Sequence, residues 1–214
     1  MSAPRLRVAT RNAGKRDELF RLVRAALHPA ADLELLGLED LRDLEMPPED
    51  ARSYADNARG KAEAVAARDP GAAVLADDSG IEVEALGGAP GLRSARWATA
   101  PDGALLDGAG LNAALLACLG DLPEARRGAR MVCAVALLLP GRPAAAGAGE
   151  VAGFVAREAR GAGGFGYDAL FLLPDGRRFS LVPPADKDAC SHRARAVAAA
   201  APALRAWFLS GTSR

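Results

Sequence analysis

The chain has 214 residues, a formal net charge of zero and only 5% aromatic residues. Its length suits one domain with a substantial core. Neutrality excludes a global basic field for nucleic acid, and scarce aromatics exclude a broad base-stacking platform. Three cysteines, Cys118, Cys133 and Cys190, stand far apart with no C-x-x-C pair, which excludes a disulfide framework or zinc knuckle. The start, MSAPRLRVATRN, lacks the apolar core of a signal peptide, and Met131 to Leu139 is too short to span a bilayer. The expectation is a cytoplasmic protein with no membrane partner and no stable nucleic-acid partner, in which any phosphate is held by local Lys and Arg.

Arg5 to Ala9 reads as a first strand running into Thr10-Arg11-Asn12-Ala13-Gly14-Lys15. A helix follows, with Leu19, Leu22, Val23, Ala26 and Leu27 on one face. A strand, a Gly-containing turn and a helix opening with Lys form a candidate phosphate site, because free N–H groups and the helix dipole face the ligand. It is not a Walker A motif: Ala9 and Arg16 stand where Gly and Ser or Thr belong. Ordinary helix-start chemistry at Asn12 and Gly14 is the alternative. Leu33 to Leu38 predicts a second strand, and residues 39–52 form an acidic, Pro-containing connection. Ser53 with Asp56 matches a capping box opening a helix to about Arg68, with Ala55, Ala58, Ala62 and Val65 inward. Asn57 and Lys61 lie one turn apart on that helix. The cap alone accounts for Asp56.

Ala72 to Ala76 reads as a buried strand ending in Asp77-Asp78-Ser79-Gly80. Adjacent carboxylates without nearby His or Cys favour a hard ion, Mg2+ or Mn2+. A solvated acidic turn is the alternative. Gly87-Gly88-Ala89-Pro90-Gly91, followed by Arg93, Ser94 and Arg96, adds a flexible loop with cations and hydroxyls, which suits a polyanion with its metal. Leu105 to Leu119 predicts an amphipathic helix, weakened at its start by Gly108 and Gly110. Met131 to Leu139 predicts a buried strand and 149–157 its antiparallel partner, extending as a ribbon or a second lobe. Residues 161–168 contain G-x-G-x-x-G, but a strand, Ala169 to Leu173, follows where the dinucleotide fingerprint requires a helix. That loop, with Phe165 and Tyr167, fits a flat ligand instead. Pro174-Asp175-Gly176 predicts a turn, and 178–182 a returning strand. Asp186, Lys187 and Asp188 precede Ser191-His192-Arg193 and a last helix running towards Pro202. Cations in its first turn oppose the dipole and point to an anionic or carbonyl ligand, against plain solvation of His192.

Four segments occur in a telling order: Thr10-x-Asn12-x-x-Lys15; Asp77-Asp78-Ser79-Gly80 with Gly87-Gly88-Ala89-Pro90-Gly91 and Ser94-Ala95-Arg96; Gly164-Phe165-Gly166-Tyr167-Asp168; and Ser191-His192-Arg193. Together they resemble the inosine triphosphate pyrophosphatase family, which hydrolyses ITP, dITP and XTP to the monophosphate and pyrophosphate. The resemblance spans nearly the whole chain. It implies one α/β domain over residues 1–214: an elongated mixed β-sheet flanked by helices, in two lobes with a central active-site cleft, usually as a homodimer. It implies that Thr10, Arg11, Asn12, Ala13, Gly14 and Lys15 hold the triphosphate, with Lys61 assisting. It makes Asp78 the general base, places Mg2+ at Asp78 and Asp56 with support from Asp77, and puts Ser79 on the substrate. Phe165, Gly166, Tyr167, Asp168, Lys187, His192 and Arg193 would line the purine pocket. The family's helix acid is usually Glu and is Asp56 here, one methylene shorter, which implies a metal contact through water.

Hydrolysis of the α–β anhydride requires charge neutralisation by metal and Lys and an oriented water, with a carboxylate as base. Donors around a 6-keto group reject the 6-amino group of adenine. The competing expectations are a related pyrophosphatase for modified pyrimidine or methylated nucleotides, and a non-catalytic nucleotide- or RNA-binding module.

Overall fold

The computed structural model describes residues 3–28 and 32–211. Six strands form one sheet in the order β2-β1-β3-β4-β5-β6. β1 (Arg5–Val8) is flanked by β2 (Glu34–Leu36) and β3 (Ala73–Val83), both parallel to it. Parallel neighbours need crossovers. Those are α1 (Ala13–Leu27), between β1 and β2, and α2 (Tyr54–Arg68), between β2 and β3. α3 (Gly108–Leu119) precedes β4 (Gly128–Leu138) and β5 (Ala145–Val155), whose short connection permits only an antiparallel hairpin. β6 (Phe171–Leu172) pairs antiparallel with β5. α4 (Pro184–Cys190) and α5 (His192–Gly211) end the described chain.

The chain divides into two compact units, Met1–Asp78 with Cys133–Gly149 and His192–Arg214, and Ser79–Val132 with Glu150–Ser191. In the first, the strands are covered on both faces. Leu6, Val8, Ala73 and Leu75 pack with Leu19, Leu22 and Val23 of α1 and with Val197, Ala200 and Leu204 of α5. Val74 and Ala76 pack with Ala58, Ala62 and Val65 of α2. Successive strand residues face opposite ways, so β3 alternates between these layers. α5 lies tight on β5: a Cβ at Gly149 would strike the His192 carbonyl, and one at Gly147 that of Ala196. A side chain at 149 would therefore force α5 away from β5.

The second unit gathers Ile81, Val83, Leu111, Leu115, Met131, Val151, Tyr167, Leu170, Phe171 and Phe179, with the Phe171 and Phe179 rings 5.0 Å apart. Several elements differ from expectation. β3 does not end at Asp77 but continues through the acid pair to Val83. Ala55 is exposed. The expected returning strand at 178–182 is a single bridge from Leu172 to Arg178 followed by a 3-10 turn, Phe179–Leu181. α4, unforeseen, starts with proline at its first position, where no N–H is needed.

Candidate active site

The β1–α1 turn is built by its own side chains. Thr10 Oγ1 accepts from the Asn12 N–H at 3.2 Å, and Asn12 Oδ1 caps α1 by accepting from the Lys15 N–H at 3.0 Å. Ala13 and Gly14 open the helix, so its positive end lies at this turn. The Arg11 side chain turns away and donates to the Leu44 carbonyl at 2.6 Å, tying the turn to the 39–52 connection. Lys15 Nζ lies 3.2 Å from Asp77 Oδ2.

The pleat of β3 sends the two aspartates to opposite layers. Asp77, fully buried, meets Lys15 from α1 and Arg193 from α5, whose Nε donates to Asp77 Oδ2 at 3.2 Å. Arg193 Nη1 donates to Glu18 Oε2 at 3.0 Å, with both groups buried. Burial alone would push the Asp77 carboxyl up; the pull of Lys15, Arg193 and Lys61 overturns it and holds the group well below the usual carboxylate range. Asp78 faces α2: Asn57 Nδ2 donates to Asp78 Oδ2 at 2.9 Å, and Lys61 Nζ stands 3.5 Å from Oδ1. The same ammonium donates to Glu49 Oε1 at 2.7 Å. Burial raises the Asp78 carboxyl above its ordinary value, beyond what Lys61 and Asn57 recover, and Glu49 adds to the rise. Lys61 itself is raised: burial opposes its charge, but Asp77, Asp78 and Glu49 prevail.

The residues expected to hold the metal are not brought together in this geometry. Asp56 is exposed and engaged in the cap of α2: Ser53 Oγ donates to its carboxylate at 2.7 Å and accepts its N–H at 3.1 Å. Asp77 is neutralised by two cations on the other layer. Asp56, Asp77 and Asp78 therefore do not gather, and among the described residues no three His, Cys, Asp or Glu side chains converge on a metal position. The acid that does accompany Asp78 is Glu49, in the irregular connection, where no periodicity marks it. Glu18 was also missed, although it lies three residues beyond Lys15 on the inward stripe of α1.

Ser79 follows Asp78 half-buried in β3. In the second unit, Asp168 Oδ2 accepts the Phe165 N–H at 2.9 Å and Lys187 Nζ at 2.6 Å. The Lys187 ammonium also lies 4.7 Å from the Phe165 ring centre. A Cβ at Gly164 would collide with the Asp168 carboxylate, and Gly164 has φ +72, so glycine is required twice over. Phe165, Asp168 and Lys187 thus come together beside Gly166. Tyr167 does not line this group as expected: its ring is in the core, and its hydroxyl donates to the Ser94 carbonyl at 2.9 Å. Burial pushes that phenol well above its usual value. Ser94 is equally structural, its Oγ accepting the Ile81 N–H at 2.9 Å and donating to the Gly91 carbonyl at 2.6 Å. His192 and Arg193, expected in the purine pocket, are buried at the start of α5.

The first unit therefore carries a helix N-terminus beside Lys15 and a lysine between two carboxylates, and the second a glycine-rich loop with one carboxylate and one ammonium. The Ham1 family profile matches residues 6–203. A dITP/XTP pyrophosphatase of Nocardia farcinica is 44% identical over 208 residues, 96% of this chain and 97% of that protein. One from Mycobacterium tuberculosis is 47% identical over 203 residues, covering 94% and 95%. The crystal structure of a nucleoside-triphosphatase, dITP/XTP pyrophosphatase, from Mycobacterium abscessus is 40% identical, with a TM-score of 0.67 over 91% of this chain and 97% of its own. The resemblance carried by the four ordered motifs holds, and the chain belongs to the Ham1 family.

Proposed function

We propose that this protein hydrolyses non-standard purine nucleoside triphosphates, dITP, ITP and XTP, to the monophosphate and pyrophosphate. The observation that carries the reading is Asp78: a buried carboxylate, oriented by Asn57, with its proton affinity raised, next to an ammonium. A base with elevated pKa takes a proton from water more readily at neutral pH. Asp78 accepts the proton of the attacking water as the new P–O bond forms and the anhydride bond between the α- and β-phosphates breaks. Lys15, Lys61 and the N-terminus of α1 hold the phosphate oxygens, countering the charge that develops.

Mg2+ fits Asp78 and Glu49 better than the set expected from sequence. It is commonly held by one or two carboxylates together with substrate phosphates and waters. Both carboxylates bracket Lys61 Nζ, and Asp78 is under-compensated by the cations present. When bound, the ion would neutralise phosphate charge and orient water. Asn57 would keep Asp78 in position.

For the base, Lys187 donates to the 6-keto oxygen and Asp168 accepts the neighbouring ring N–H, with Phe165 against the ring face. Adenine reverses both polarities, and a site built for one pattern rejects the other by roughly 10⁴-fold. The chain acts as a cytoplasmic homodimer, which light scattering tests for the dimer. No helix among the described residues is long and apolar enough to cross a membrane. Pyrophosphate release from a panel of ITP, dITP, XTP, ATP, dTTP and UTP, with and without Mg2+, tests the assignment. Release confined to the first three supports it; preference for a pyrimidine, or no release, overturns it.

A further inference from the structure

Asn112 lies on α3, outside the residues assigned to substrate, and is buried. Its Nδ2 donates to the Gly166 carbonyl at 3.1 Å, while its Oδ1 is buried with no hydrogen-bond partner. The carbonyl requires a donor, which fixes the amide orientation and leaves the orphan acceptor. One helical turn earlier, a Cβ at Gly108 would lie 3.7 Å from the Gly166 nitrogen, so the same face of α3 runs along this backbone. Gly166 has φ +58, and a Cβ on it would have no neighbour within 4 Å. Its position is therefore not set by packing on its other side. The next residue, Tyr167, is anchored separately through the Ser94 carbonyl.

A half-satisfied buried amide is a poor stabilising device. An apolar side chain of similar shape removes the orphan, whereas the present amide keeps one buried acceptor desolvated. What the amide gains is the location of a glycine sitting between Phe165 and the Tyr167-Asp168 pair. We propose that Asn112 is a positioning residue for base recognition: it holds the Gly166 carbonyl so that Phe165 and Asp168 keep their arrangement around Lys187, at a cost in stability. The proposal rests on the assignment of this loop to the purine.

The test pairs kinetics, calorimetric ITP binding and thermal unfolding for Asn112→Leu and Asn112→Asp. Asn112→Leu removes donor and orphan together and leaves the carbonyl of exposed Gly166 to water, and Asn112→Asp keeps the size while removing the donor. Both are expected to raise the KM and the Kd for ITP about tenfold, the scale of one lost hydrogen bond, with kcat within about twofold. Tm is expected to hold or rise in Asn112→Leu, an outcome that a purely structural role does not produce. Unchanged affinity in both variants overturns the proposal, as does a loss of affinity that merely follows a fall in Tm in both. A wild-type chain that binds ITP with these sensitivities but does not hydrolyse it overturns the proposed function alone.

Discussion

Asp77 and Asp78 are consecutive in β3 and act on opposite layers: Asp77 Oδ2 lies 3.2 Å from Lys15 Nζ on α1, while Asp78 Oδ2 accepts from Asn57 Nδ2 on α2 at 2.9 Å. What looks like a carboxylate pair in the sequence is two single carboxylates with different partners. Asp77 is an ion-paired anchor, and Asp78, held by Asn57 and Lys61, is the carboxylate proposed as the base.

The two isosteric changes should separate. Asp78→Asn is expected to abolish turnover of ITP while nucleotide binding persists, because the amide cannot accept the water's proton. Asp77→Asn leaves Lys15 and Arg193 without their shared anion, and breaking a buried pair costs about 3–5 kcal/mol. Urea unfolding should therefore single out the second variant and assays the first. Equal loss of stability in both would contradict the division of roles.

The depressed pKa of Asp77 also sets a pH dependence. Its carboxyl is lower in the folded than in the unfolded chain, so its contribution is fully present above about pH 4, the unfolded value. It is lost as pH falls from there towards the native value. Unfolding titrations below about pH 4 should show a component missing from Asp77→Asn; identical acid profiles would refute it.

Glu49 and Asp56 offer a second separation. Glu49→Gln should raise the Mg2+ concentration needed for half-maximal activity about tenfold or more, within the range seen when metal-site partners are removed. Asp56→Ala should leave that requirement unchanged and cost about 0.5 kcal/mol through the capping box and helix dipole at the start of α2. Magnesium titrations of both variants decide, and a shift confined to Asp56→Ala would restore the set expected from sequence.

Cysteine chemistry reports on the core. Cys133 is buried between the strands and α5, and burial pushes its thiol up to about 12. Cys118 is exposed and Cys190 half-buried. A thiol reagent at neutral pH should label Cys118 first, Cys190 more slowly and Cys133 only on denaturation. Rapid native labelling of Cys133 would show that this core opens.

Local chemistry made much of this readable. The stripe Leu19, Leu22, Val23, Ala26, Leu27 located α1 because helical period and burial coincide. Ser53 with Asp56 gave the start of α2 for the same local reason. The continuation of β3 through Asp77, Asp78, Ser79 and Gly80 was hidden, because those residues favour turns and only pairing within the sheet overrides them. Motif order singled out Asp78 and Lys15, and the one-turn spacing from Asn57 put Lys61 on the same face of α2. Glu49 lies in an irregular connection and meets Lys61 only through the fold. The contact of Asp168 with Lys187, and of Arg193 with Glu18, likewise joins residues whose separation carries no period.

Lys15→Ala should chiefly raise KM for ITP, since an ammonium in the proposed cradle would hold phosphate before and during the reaction alike. Unchanged KM would remove the β1–α1 turn as the phosphate cradle.

The central claim is that Asp78 activates water to split the α–β anhydride of an inosine-type triphosphate. Product analysis of ITP incubated with Mg2+ and either the wild-type chain or Asp78→Asn addresses it most directly. The account predicts IMP and pyrophosphate in equal amounts from the wild type and none from the variant. Orthophosphate with IDP from the wild type, or undiminished pyrophosphate from Asp78→Asn, would contradict it.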